Sequence, residues 1–93
     1  MDTVQLDGHA LDAVTFPTQN TKILVIRAGH GLLGCGYISA ETAAKVGDAL
    51  AIVSGVSNYE DMLQASVKAV SPAAEALGVR PGMTGREALL KLL

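Results

Sequence analysis

The chain has no tryptophan and only three aromatic residues, Phe16, Tyr37 and Tyr59. Its seven basic residues, Lys22, Arg27, Lys45, Lys68, Arg80, Arg86 and Lys91, form no run, and the net charge is −2. A nucleic-acid surface needs a cationic stripe, stacking rings or both, so no nucleic-acid partner is expected. The single cysteine, Cys35, cannot close an internal disulfide. No apolar run approaches the ~18 residues of a membrane span, and Met1-Asp2 opens acidic and polar rather than as a signal peptide. These absences point to a reducing, cytoplasmic setting with no membrane partner. No paired-carboxylate or Ser-His-Asp pattern is visible. His9, His30 and Cys35 match no zinc spacing, so no metal is expected and no cofactor is identified.

What the chain does have is apolar bulk. Of its 93 residues 49% are apolar and 17% charged, against roughly 25% charged in ordinary domains. The length suits one domain, residues 1–93. So much apolar surface on so small a domain leads to the expectation of a homo-oligomer, with dimer and trimer both open.

The local signals alternate between strand and helix. Asp7-Gly8 is a favoured two-residue hairpin turn between Thr3–Leu6 and Ala10–Phe16. After a polar loop, Ile23–Ile26 is continuously apolar, as in a strand covered on both faces. Ser39 is a candidate N-cap for a helix ending near Gly47. Ala49–Val53 reads as another buried strand, and Val67–Val70 as a further one. Ser57-Asn58-Tyr59-Glu60 has the form of a capping box. Ser71-Pro72 opens a third helix that Gly78 ends. Thr84-Gly85-Arg86-Glu87 is a second capping box before a last helix with Ala88, Leu89, Leu92 and Leu93 inward. The expected fold is α+β: N-terminal hairpins in a mixed sheet with helices packed on it.

The stretch Gly29–Tyr37 concentrates the chemistry, with four of the ten glycines, one of the two histidines and the cysteine. Gly29, Gly31 and Gly34 match G-x-G-x-x-G, but that fingerprint needs a helix after the turn. Gly34 and Gly36 would each cost a helix interior about 1 kcal/mol. Strand, turn, strand fits better, with Lys22–Ala28 antiparallel to Leu32–Ile38. In that alternation Leu33, Cys35 and Tyr37 share one face, and Gly34 and Gly36 form a bare strip on the other.

Several pieces stand in a recognisable order. Strand Lys22–Ala28 leads to Gly34-Cys35-Gly36-Tyr37-Ile38, then Lys45-Val46-Gly47-Asp48, Val53-Ser54-Gly55-Val56 and Tyr59-Glu60-Asp61-Met62-Leu63. Leu77-Gly78-Val79-Arg80-Pro81-Gly82-Met83 and Arg86-Glu87-Ala88-Leu89 follow. Together they resemble the YunC-like family of small bacterial and archaeal proteins, classed as a domain of unknown function. The resemblance covers nearly the whole chain and implies a compact α/β domain. It implies no activity, substrate or catalytic residue.

Three functional readings follow from the residues. In the preferred one, Gly29, Gly31, Gly34, Gly36 and Tyr37, helped by Arg27, bind a small molecule or anion, since successive glycine amides form anion-binding nests. In the second, Cys35 is a catalytic nucleophile or redox sensor with His30 as its base. His30, between two glycines, is expected to be mobile and exposed. In the third, the chain is a structural subunit with no ligand, Cys35 is a buried hydrophobe, and the glycine strip only packs.

Overall fold

The computed structural model describes residues 1–93. Asp7 and Gly8 take φ of 49° and 83°, the two left-handed residues that a twisted two-residue hairpin demands. They join β1 (Asp2–Leu6) to β2 (His9–Pro17), and β2 pairs antiparallel with β3 (Lys22–Arg27). β3 pairs antiparallel with β4 (Leu32–Gly34), placing Val25 opposite Gly34 and Arg27 opposite Leu32.

The chain then crosses through α1 (Ala40–Val46) to β5 (Leu50–Ile52), which runs parallel to β4. Ser39 caps α1 by accepting the Thr42 N–H, and Gly47 ends it at φ 84°. Next come α2 (Tyr59–Gln64), β6 (Ala69–Val70) antiparallel to β5, α3 (Pro72–Ala76) and α4 (Gly85–Leu92). The sheet has six strands in sequence order. The fold is α+β with a mixed sheet, as the sequence indicates.

Two local expectations change. Leu32–Ile38 is not one strand: β4 stops at Gly34, and the Ile38 N–H bonds the Cys35 carbonyl at 3.0 Å, closing a turn. The turn delivers the chain to the Ser39 cap on one sheet face, which a strand continued to Ile38 would overshoot. The first capping box is shifted by one residue. Asn58, not Ser57, caps α2 by accepting the Asp61 N–H, while Asp61 rather than Glu60 accepts the Ser57 N–H. Asn is as good a cap as Ser, and the shift lets Tyr59 reach β1 and β2. The second box, Thr84 with Glu87, forms as read. Its backbone and side-chain bonds from Thr84 hold the Glu87 carboxyl below its ordinary pKa.

The two sheet faces are covered unequally. One carries the main core, where Leu6, Leu24, Ile26, Leu33, Met62, Leu89 and Leu92 are fully buried beneath α2, α3 and α4. Burying each such side chain stabilises by about 1.5–3 kcal/mol. The other face carries only α1, whose Ala43 packs with Leu50 and Ile52. Tyr59 ties α2 to the first hairpin: its hydroxyl donates to Asp2 at 2.6 Å and accepts from Thr15 at 2.9 Å. Desolvation, then the bond to Asp2, raises its pKa above 10.0, against a lowering by Thr15.

Gly85, the first residue of α4, lets two helices touch. A Cβ there would overlap the Met62 carbonyl of α2 and sit 2.9 Å from Leu33 Cδ2. Gly85→Ala should therefore destabilise by at least about 3 kcal/mol in urea denaturation, because backbone cannot rotate away as a side chain can. Tyr59→Phe should cost about 1 kcal/mol. The raised pKa of Tyr59 means its contribution is complete below the unfolded value near 10 and is lost as pH rises through the folded value. Wild type should thus lose stability on the alkaline side that Tyr59→Phe does not.

Candidate functional site

β4 is the axis of the site, and the residues of the Gly29–Tyr37 stretch separate to its two ends. At the amino end, Gly29, His30 and Gly31 join Arg27, Asp48 and Ala49 around a cleft of about 360 Å³. At the carboxyl end, Cys35, Gly36 and Tyr37 join Thr21, Lys22 and Ser54-Gly55-Val56 around a cleft of about 390 Å³. His30 and Cys35 are separated by five residues of near-extended chain, on the order of 15 Å. The structure does not bring them together.

The amino-end cleft is partly bonded to the rest of the chain. His30 is exposed and hydrogen-bonded: its N–H bonds Leu92 O at 2.7 Å, and its Nδ1–H donates to the backbone oxygen of Leu93 at 2.6 Å. Gly31 packs so tightly that a Cβ would lie 2.7 Å from Ala49 O and 2.9 Å from Leu92 Cδ2. A Cβ at Gly29 would meet Leu93 O at 3.3 Å. The Leu32 amide is taken by Ala49 O. Arg27 pairs with Asp12 across the β2–β3 register at 2.5 Å, and Asp48 adds negative charge to the rim. Gly31 thus serves close packing, while the Gly29 and Gly31 N–H groups themselves donate to no other atom of the chain. With no helix following the turn, the dinucleotide reading has no structural basis.

The carboxyl-end cleft is less crowded at its glycines and has more free backbone donors. The backbone N–H groups of Gly36, Tyr37, Ser54, Gly55 and Val56 donate to no other atom of the chain. Gly36 has no heavy atom nearer than Ser54 Cβ at 4.0 Å from where its Cβ would be. The proposed glycine strip therefore splits. Gly34 is covered by Ile38, whose Cγ1 would lie 2.8 Å from an added Cβ, while Gly36 is open. Gly55 turns the opposite wall at φ 71°, a conformation that favours glycine. Lys22 is the one charged residue of the lining, and its Nζ donates to Ser57 O at 3.1 Å. Tyr37 is 58% exposed at the rim.

Cys35 lies in the same lining but is 5% exposed. Its N–H bonds Leu24 O at 3.0 Å, and its sulfur accepts the Leu24 N–H at 3.3 Å. The thiol thus helps lash the end of β4 to β3. Among all residues, no group of three His, Cys, Asp or Glu is placed to hold a metal ion. No helix is long and apolar enough to cross a membrane.

Lys22, Thr21 and Ser54-Gly55-Val56 were not singled out as site residues from sequence. Two glycine-bearing segments following two strands were visible, but they share a rim only because β4 and β5 run parallel.

The sequence model of a family described as "Domain of unknown function (DUF1805)" matches residues 34–92, which include Cys35-Gly36-Tyr37 and Ser54-Gly55-Val56 of the carboxyl-end cleft but not Thr21 and Lys22. The chain is 32% identical over 94 residues to the uncharacterized protein YunC of Bacillus subtilis, covering 97% of this chain and 93% of that one. A crystal structure of a protein of unknown function from Thermoplasma acidophilum superposes with a TM-score of 0.93 at 34% identity, covering 99% of this chain and 90% of that one.

The burial and bonding of Cys35 set its expected reactivity. A thiol reagent should label native protein at least 100-fold more slowly than urea-unfolded protein. Equal rates in the two states would show that the sulfur is open to solvent and not held against Leu24.

Proposed function

We propose, on the premise that this chain belongs to the DUF1805 family of domains of unknown function, that it binds a small anionic molecule in the cleft beyond the carboxyl ends of β4 and β5. One observation carries the reading: in the only parallel strand pair of the sheet, both carboxyl ends open into a single cleft whose one charged side chain is Lys22. Crevices outside the carboxyl ends of parallel strands are where open α/β sheets hold ligands, since the chain leaves the sheet there and exposes backbone donors. Gly36 and Gly55 keep those walls bare of side chains, so a phosphate- or carboxylate-sized group can approach the amides closely. The Lys22 ammonium complements the negative charge, and Tyr37 at the rim offers a ring to a larger ligand body.

A second reading, with Cys35 as nucleophile or redox centre, is supported by the thiol's place in the same lining. The expected base is absent from it, because His30 stands at the opposite end of β4.

The test is thermal unfolding and calorimetry with inorganic phosphate, pyrophosphate and citrate. A ligand at ~100 times its Kd should stabilise by about 2.7 kcal/mol, which raises Tm by more than about 10 °C in a domain this small. Lys22→Met should weaken binding about tenfold or more. Gly36→Val should abolish it while leaving the ligand-free Tm nearly unchanged, since nothing packs against that position. Full affinity in Gly36→Val, or no stabilisation by any of the three anions, would sink the reading.

A further inference from the structure

The carboxyl-end cleft does not stop at Tyr37. That residue also lines a second hollow, of about 270 Å³, beside α1, so the two spaces meet at its side chain. The second hollow starts at the turn that enters α1 and ends at Val46 and Asp48, where the helix stops. With seven residues in α1, a groove along it is about 10 Å long. Leu32 and Leu50, paired across the parallel strands, make its floor, and Ile38 and Val46 stand at its sides. Val46 is 67% exposed.

The charges along this path change from end to end. Lys22 is the only charged residue lining the cleft, and Asp48 is the only one lining the groove. Asp48 takes part in none of the three salt bridges, which pair Arg27 with Asp12, Lys45 with Glu41 and Arg86 with Asp7. A molecule lying along the path therefore meets a cation and free amides first, then apolar side chains, then a carboxylate. We propose that the ligand is an amphiphile with a single anionic group, a phosphate monoester or a monocarboxylate, whose apolar chain passes Tyr37 and lies in the groove beside α1. The proposal rests on the anion reading of the cleft and adds the rest of the ligand to it. One lysine suits one anionic group. A second anionic group at the far end of the chain would stand beside Asp48, where like charges repel. The chain is apolar because Leu32, Ile38 and Val46 offer it contact area and no hydrogen-bonding side chain.

Calorimetry with ethyl, butyl and hexyl phosphate tests this. Covering half of each added methylene tightens binding about twofold, so hexyl phosphate should bind about tenfold or more tighter than ethyl phosphate. A carboxylate at the far end of the hexyl chain should remove that gain, and Asp48→Asn should restore part of it. Val46→Glu should return hexyl phosphate to the affinity of ethyl phosphate, with Tm close to wild type because the position is exposed. Vesicles containing phosphatidic acid present the same head in a bilayer and should not co-sediment with the protein, since the chain has to lie along α1. Equal affinities for the three esters, a gain that Val46→Glu leaves intact, or a terminal carboxylate without cost overturns the amphiphile and leaves the anion site standing. Co-sedimentation would assign the head to a membrane lipid and overturn the free ligand. If neither the esters nor inorganic phosphate binds, the anion reading itself fails, and this proposal with it.

Discussion

Parallel pairing of β4 with β5 cannot be made by a tight turn. After β4 the chain has to leave the sheet, travel back across one face and re-enter in the same direction. The Cys35–Ile38 turn and α1 make that journey, and most of what matters here follows from it. It puts α1 alone on one face, with Ala43 over Leu50 and Ile52. It also brings the carboxyl ends of two strands to one rim, so that Gly36 faces Ser54 and Gly55 across a cleft. A hairpin between β4 and β5 would have set the end of one strand beside the start of the other, and neither wall would exist.

The same crossing explains why one strand separates two unlike clefts. At the amino end the His30 and Leu32 N–H groups bond the C-terminal helix and the segment entering β5. There Gly31 is pressed against Ala49 and Leu92, which leaves little room for a ligand. At the carboxyl end the segments after β4 and β5 diverge instead of pairing. Their amides face solvent, and the charge at hand is Lys22. Burial and bonding, rather than residue type, separate a packing glycine such as Gly31 from an open one such as Gly36.

The layers are unequal for a related reason. A sheet of six strands has two faces to cover, and the chain spends α2, α3 and α4 on one of them. Close approach at Gly85 lets α4 press against α2 and Leu33, which makes that layer dense. The remaining helix, seven residues long, is too short to span the sheet. The part of the sheet that α1 does not reach leaves Val14 and Phe16 exposed.

Much of the fold is written locally and is legible without coordinates. Asp7-Gly8 dictates a hairpin, Ser39 and Gly47 bound a helix, Ser71-Pro72 starts another, and Thr84 with Glu87 caps the last. Each of these acts through atoms within a few residues, so the chain order contains the information. Even so, the Ser57 box slipped by one residue, because Tyr59 is held by Asp2 and Thr15, more than forty residues away. The site was legible only in part. Gly36, Tyr37 and Cys35 stood out by type, whereas Lys22, Ser54 and Gly55 joined them through strand direction. Composition and local capping determined that this chain makes an α+β fold with a glycine-rich segment at its centre. Only the tertiary structure decided which glycines are open, that His30 and Cys35 stay apart, and which face is left bare, because each depends on contacts between segments that no sequence spacing encodes.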